Sequence, residues 1–327
     1  MSTNIEQIFS VIDSTANLLQ EDLACSYLEA VAETGENIFH ETILQEELSE
    51  LSKKRLNKEY EKLIVQKYSN EEIRKAYQLA ALKGMRESTQ PNHQMTPDSV
   101  GVFVSYLVSK FMRNYESFKV VDPAVGTGNL LTTVLNHTSD KQITSFGVDV
   151  DDLLIKLAYV NANLQQHPIQ FFNQDSLEPL LIDPVDLVVC DLPIGYYPND
   201  VVADGYELKS PEGHSYAHHL FIEQCMNYTK EGGYLFFLVP NNLFESELAP
   251  SLHKYLKETS IIQGLLQLPL SLFQHEKHAK SIFILQKKGA EVKVPKQALL
   301  VDLPSFSKKE AIQGIIQRID SWIKVEK

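Results

Sequence analysis

The run Val120-Val121-Asp122-Pro123-Ala124-Val125-Gly126-Thr127-Gly128-Asn129-Leu130-Leu131 constrains the fold of this chain more than any other stretch. Apolar residues lead to an acid, a turn with two glycines follows, and a helix-forming run closes the segment. That order predicts a strand, a ligand-binding turn and a helix. Glycines let backbone approach a ligand where a Cβ would collide, and the first helical amides face the ligand with partial positive charge. A glycine pair alone is common in α/β turns. The acids that end three further strand-like runs make this one specific. Asp149 closes Ile143 to Val148, Asp175 follows Ile169 to Gln174, and Asp191 follows Val185 to Cys190. Any one of them reads equally well as a helix N-cap. Together with Asp122 they predict an open, mostly parallel α/β sheet binding a nucleotide-like ligand across its strand ends. Asp149, about twenty residues beyond the glycines, is placed to accept from both hydroxyls of a ribose.

The turn argues against a dinucleotide. The dinucleotide fingerprint sets its glycines closer to the strand, and a carboxylate at Asp122 would repel a pyrophosphate. It suits a cationic amino group, such as the amino-acid end of S-adenosylmethionine. Asp-Pro-Ala-x-Gly-x-Gly-x-Leu, residues 122–130, resembles the first motif of class I S-adenosylmethionine-dependent methyltransferases. The form with Pro and Ala is typical of those that methylate exocyclic amino groups in DNA. Met95-Thr96-Pro97-Asp98-Ser99-Val100 resembles the Thr-Pro segment of adenine-type DNA methyltransferases, which contacts the cofactor's amino-acid end. Cys190-Asp191-Leu192-Pro193-Ile194-Gly195-Tyr196-Tyr197 lies where that family carries Asp/Asn-Pro-Pro-Tyr/Phe.

The resemblance implies a cofactor site at Thr96, Pro97, Asp122, Ala124, Gly126, Gly128, Asp149, Val150, Asp175, Ser176 and Asp191. In it Asp122 faces the ammonium, Asp149 the ribose and Asp175 the adenine amino group, with Val150 on the adenine face. The catalytic set it implies is Asp191, Leu192, Pro193 and Tyr196. The chemistry needs no acid–base pair. The methyl group sits on a sulfonium, whereas the lone pair of an aromatic amine is delocalised. Two acceptors, the Asp191 carboxylate and the Leu192 carbonyl, would hold the amino hydrogens while the nitrogen turns toward the methyl carbon. Pro193 stiffens that turn, and in-line positioning supplies most of the rate. Two residues depart from the family: Leu192 replaces its first proline, and Ile194 replaces the aromatic that stacks on an extruded base. Such stacking is worth about 1–3 kcal/mol per base, and Tyr196 or Tyr197 is the candidate substitute.

The net charge of −13 opposes DNA as a partner, because phosphate neutralisation dominates DNA affinity. Two basic clusters, Lys53-Lys54-Arg55 with Lys58 and Lys277 with Lys280, Lys287 and Lys288, are candidate local contacts or plain solvated surface. No segment resembles a target-recognition domain. Two alternatives therefore stay open: methylation of a protein glutamine or an RNA base, and a cofactor-binding interaction module without catalysis. No apolar run approaches the roughly 20 residues that span a bilayer. The N-terminal residues lack a signal-peptide core. Cys25, Cys190 and Cys225 are odd in number and far apart. A cytoplasmic chain with reduced thiols is expected. His214, His218 and His219 lack acids or cysteines at ligand spacing, so no metal is expected.

Three units are predicted: a helical bundle over 1–92, the catalytic domain over 93–305 and an amphipathic helix over 306–327. The bundle opens with a capping box at Thr3 to Glu6 and ends near Pro91; its surface is a candidate homodimer or partner face. The catalytic sheet is expected to be Rossmann-like and seven-stranded, with its last strands antiparallel. Residues 195–215 read as a long, mobile loop that gates the substrate. Ser307-Lys308-Lys309-Glu310 reads as a second capping box, before a stripe of Ile312, Ile315, Ile316, Ile319 and Ile323.

Overall fold

The computed structural model describes residues 3–87 and 95–327. The junction around Pro91 and the proposed boundary at residues 92 and 93 lie outside the described residues.

Four helices come first: α1 (Asn4–Leu23), α2 (Tyr27–His40), α3 (Glu50–Tyr60) and α4 (Asn70–Glu87). The Thr3 hydroxyl accepts from the Glu6 amide while the Glu6 carboxylate takes the Thr3 amide, so the expected capping box is present. Ile8, Ile12, Leu19, Val31, Leu56 and Tyr77 are buried in one core. This core is shared with Leu154, Leu157, Val160 and Leu164, on the helix Asp152–Leu164 of the following half. Contact there is tight. A Cβ on Gly35 of α2 would lie 2.2 Å from Val160 Cγ1.

After α5 (Asp98–Phe111) the catalytic half runs β1 (Ser117–Asp122), α6 (Asn129–Asn136), β2 (Gln142–Asp149), α7 (Asp152–Leu164), β3 (Ile169–Asn173) and β4 (Val185–Asp191). It continues through α8 (Asp200–Ala203), α9 (Ala217–Asn227), β5 (Thr229–Pro240), α10 (Ala249–Thr259), β6 (Ser260–Gln267), β7 (Lys280–Lys287), β8 (Leu299–Asp302) and α11 (Lys309–Glu326). The strands order as β3-β2-β1-β4-β5-β7-β6-β8. β1 to β5 are parallel, and β7 runs antiparallel to both β5 and β6. This is the expected Rossmann-like, mostly parallel sheet with antiparallel strands toward one end. The seven expected strands become eight, because β8 adds a parallel edge to β6. Its four residues alternate buried and exposed, too short a run to stand out in sequence.

Alternating strand residues feed two cores. Val120, Leu187, Val189 and Phe236 face α5, α6 and α11. Val121, Val188, Cys190, Leu235 and Phe237 face α9 and α10. The chain reverses direction across the sheet between β1 and β4, which sets the ligand crevice of open α/β sheets at that point. Asp122 and Asp191 end those two strands.

Two local expectations are corrected. The Ser307 box does not form: Lys308 precedes α11 without a side-chain cap, and Ser307 bonds the Ser305 hydroxyl at 2.9 Å. The isoleucine stripe itself holds, with Ile319 and Ile323 buried. Nor is the segment after β4 a bare loop. It carries α8, buries Tyr197, Tyr206 and Leu208, and pairs Tyr196 with Tyr216 in an isolated bridge. The Glu223 carboxylate accepts from the Glu207 and Leu208 amides at 3.0 and 2.8 Å. Aromatic anchors, invisible as such in a polar sequence, hold it down. Among the described residues, no helix is long and apolar enough to cross a membrane.

Candidate active site

The glycine turn is held on both sides. The Val125 amide donates to the Val148 carbonyl at 2.9 Å, and the Gly128 amide to the Val125 carbonyl at 2.8 Å. Gly128 sits at φ 76°, a left-handed conformation, and a Cβ there would lie 3.3 Å from that of Ala158. Glycine is required at this point for conformation and for helix approach. Gly126, at φ 53°, donates its amide to Asp149 Oδ2 at 2.8 Å. Asp149 Oδ1 takes the Asp151 amide at 3.1 Å. Each carboxylate oxygen is an acceptor with two lone pairs, the chemistry that a diol requires. Beside it Val150 is 72% exposed, an apolar face toward solvent at the place expected for an adenine ring.

Asp122 is only 1% exposed and takes the Ala124 amide at 3.1 Å. Burial pushes its carboxyl up to about 8, and the nearby charges of Asp149 and Asp191 add to the shift. A buried acid in this state gains most from an incoming cation. The residues therefore fit the ammonium, ribose and base of S-adenosylmethionine.

Asp175 and Ser176 face inward more than expected. Asp175 accepts the Leu177 amide at 2.9 Å and the Tyr197 phenol at 2.5 Å. The Ser176 hydroxyl donates to the Pro123 carbonyl at 2.5 Å, bracing the turn. Tyr197 is thereby an anchor under the cofactor wall and does not replace the missing aromatic. Tyr196 is 65% exposed and stacks on Tyr216, with centroids 5.1 Å apart and planes at 17°. His218 lies 5.2 Å behind Tyr216. Burial holds the His218 and His219 imidazoles down at about 4, so both are neutral backing for this aromatic shelf. Ile194 is exposed, Leu192 is buried, and Pro193 is half-buried between them.

Asp191 joins the two halves of the site. Its Oδ2 accepts from the Thr96 hydroxyl at 2.8 Å, and its Oδ1 pairs with Lys280 Nζ at 2.5 Å. Pro97 caps the start of α5 directly after Thr96. Lys280 was legible only as part of a basic cluster, yet its side chain is 15% exposed and turned into the site. A topological signal existed. β7 runs antiparallel, so its first residue lies beside Pro240 at the edge where the parallel strands end. Lys287 likewise leaves the surface to donate to the Met226 and Thr229 carbonyls. Two of the four lysines of the second basic cluster are thus engaged within the protein, while Lys277 and Lys288 stay exposed.

Sequence reasoning also missed Arg74. Its guanidinium is fully buried and reaches Glu71, Asp98 and Asn129. An arginine set among Ile73, Ala76, Tyr77 and Ala80 on an otherwise apolar helix face was the available signal.

Comparison with known proteins gives the family and the fold. A family model described as N-6 DNA Methylase matches residues 92–319, and a model of the YtxK N-terminal helical domain matches residues 6–85. The chain belongs to the N-6 DNA methylase family. It is 50% identical to the Bacillus subtilis (strain 168) protein YtxK, whose activity is uncharacterized, over 99% of both chains. A Listeria monocytogenes structure, provisionally assigned to the class I S-adenosylmethionine-dependent methyltransferases, is 47% identical. It superposes with a TM-score of 0.91 over 98% of this chain and 99% of that one. The methyltransferase subunit of a Streptococcus thermophilus type I restriction-modification system shares the fold at 18% identity. Its TM-score is 0.67, over 96% of this chain and 74% of that one. The protein is accordingly an S-adenosylmethionine-dependent methyltransferase by family and fold.

Proposed function

We propose that this methyltransferase acts on the exocyclic amino nitrogen of a flat heteroaromatic base, adenine in DNA foremost. The observation that carries the reading is Asp191. It ends β4 at the switch point, tied to the Thr-Pro segment through Thr96 and clear of the ribose and adenine contacts. When bound, the cofactor supplies a methyl group on a sulfonium. Asp122 holds its ammonium, Asp149 its ribose, and Val150 packs on its adenine.

On the acceptor side, Asp191 and the Leu192 carbonyl take the two amino hydrogens of the substrate. Pro193 fixes the carbonyl that precedes it. Thr96 and Lys280 fix the Asp191 rotamer, and a carboxylate with about four lone-pair sites still has room for a further donor. Tyr196, stacked on Tyr216, offers the flat face that Ile194 does not. The negative net charge fits a chain that leaves DNA recognition to a partner, as the likeness to a restriction-modification subunit suggests.

A second reading has one observation in its favour. The Lys280 ammonium already occupies Asp191 Oδ1, as it would in a cofactor-binding interaction module without catalysis. Transfer of labelled methyl groups to DNA, RNA and protein fractions from cells lacking this chain separates the readings. Label in DNA supports amino-group methylation of a base. Label in protein alone, or in no fraction, contradicts it.

A further inference from the structure

Among the described residues, a guanidinium of the N-terminal helices reaches the glycine turn. Arg74 lies on α4 and is 0% exposed. Its Nε and Nη2 take both oxygens of Glu71 at 2.8 and 2.6 Å. Nη2 also pairs with Asp98, the first residue of α5 after Thr96-Pro97. Nη1 donates to Asn129 Oδ1 at 2.6 Å. Asn129 follows Gly128 and opens α6; its amide nitrogen turns back to the Thr96 carbonyl at 3.5 Å. Thr96 in turn donates to Asp191. Glu71 also takes Asn136 Nδ2 at the far end of α6. Burial alone would raise the Glu71 carboxyl, but the Arg74 guanidinium outweighs it and holds it down at about 2.

This is more than domain docking. The two halves already share an apolar core and a separate ion pair, Lys156 of α7 with Glu33 and Glu36 of α2. Arg74 instead bridges two segments of the catalytic half, bonding Asp98 beside Thr96-Pro97 and Asn129 beside Gly128, the two segments that the reading above assigns to the cofactor's amino-acid end. Arginine suits this because its planar fork serves several acceptors at fixed angles. We propose that Arg74 is a positioning residue for cofactor binding: the helical domain supplies the strut that sets the spacing between the Thr-Pro segment and the glycine turn. By linkage, a partner whose binding to the helical domain moves α4 would change cofactor affinity, and the cofactor would change that partner's affinity by the same factor. The proposal rests on the reading that this turn holds S-adenosylmethionine.

The test is cofactor affinity by calorimetry on the full chain, with four single variants and one double variant. Arg74→Met and Asn129→Ala should each weaken S-adenosylmethionine binding about tenfold or more, and the double variant no further than Arg74→Met alone, since both break one connection. Arg74→Lys should recover part of the loss. Lys156→Met loosens the domain contact elsewhere and should leave affinity unchanged. If Arg74→Met fails to fold, Asn129→Ala and Lys156→Met still decide. Equal losses in Lys156→Met and Asn129→Ala, or no loss in Asn129→Ala, overturn the strut. Absence of binding in the unmutated protein overturns the cofactor reading itself.

Discussion

The cofactor half and the acceptor half of this crevice differ in how far each keeps to its family's pattern. On the cofactor side the strand-end acids of the family's pattern are all present, and each is held by backbone amides or a neighbouring hydroxyl. On the acceptor side the first proline and the stacking aromatic are gone, and a lysine pairs with the one retained carboxylate. The cofactor is the same molecule for the whole family, so its contacts are fixed. On the proposed acceptor side this chain instead carries the stacked pair Tyr196 and Tyr216 and the Lys280–Asp191 ion pair.

The largest expected effect would cut the two halves apart. Asp191→Ala should lower the rate of methyl transfer about 100- to 1000-fold, the usual loss for one preorganised hydrogen-bonding group. Cofactor affinity, read on the same preparation, should stay within about threefold, as for a group that acts only in the transition state. Equal transfer rates in variant and parent would remove Asp191 from the mechanism.

On the other half, Asp149→Ala should weaken S-adenosylmethionine binding by about 1.5–3 kcal/mol, the range for hydrogen bonds to a charged group. Calorimetry checks it, and an unchanged affinity would move the ribose elsewhere.

Asp122 sharpens the comparison through pH. Its carboxyl titrates near 8 in the free protein, against an ordinary 3.8. The bound ammonium needs the ionised form, so binding below that value releases a proton. Affinity should rise about tenfold per pH unit, at 1.36 kcal/mol per unit, until it levels near pH 8. Above that, the ligand's own α-amino group loses its proton and affinity falls. The stability consequence has the opposite sense. The folded chain keeps a proton that the unfolded chain has lost, so the Asp122 contribution to stability declines between about pH 4 and 8. A flat affinity profile from pH 6 to 8 would contradict the pairing of Asp122 with the ammonium.

The smallest effect belongs to the acceptor edge. Ile194→Tyr restores the family's aromatic and should raise transfer to single-stranded DNA by about 1 kcal/mol, roughly fivefold, at the low end of base stacking. A small gain is expected because Tyr196 already supplies a face. A gain of the full stacking range would show that Tyr196 contributes nothing.

Much of this was legible in the sequence where function repeats a local pattern. Four acids after four apolar runs place the sheet edge, and Thr-Pro before a helix places the start of α5 beside it. What escaped depends on long-range pairing. Lys280 lies 89 residues from Asp191 in sequence, and Arg74 lies 55 from Asn129; neither separation has a periodicity to read. Tyr197 looked like its neighbour Tyr196, yet one phenol is buried on Asp175 and the other ring is exposed, because the bridge to Tyr216 turns alternate residues to opposite sides. β8 is too short to carry a pattern, and the Ser307 box lost to a bond between two serines.

The central claim is that the strand ends form a complete site for S-adenosylmethionine. Calorimetric titration of the unmutated chain with that cofactor at pH 8 tests it most directly. The structure predicts saturable binding at one site per chain, lost progressively as the pH is lowered toward 6. No saturable heat at pH 8 would contradict the account at its root.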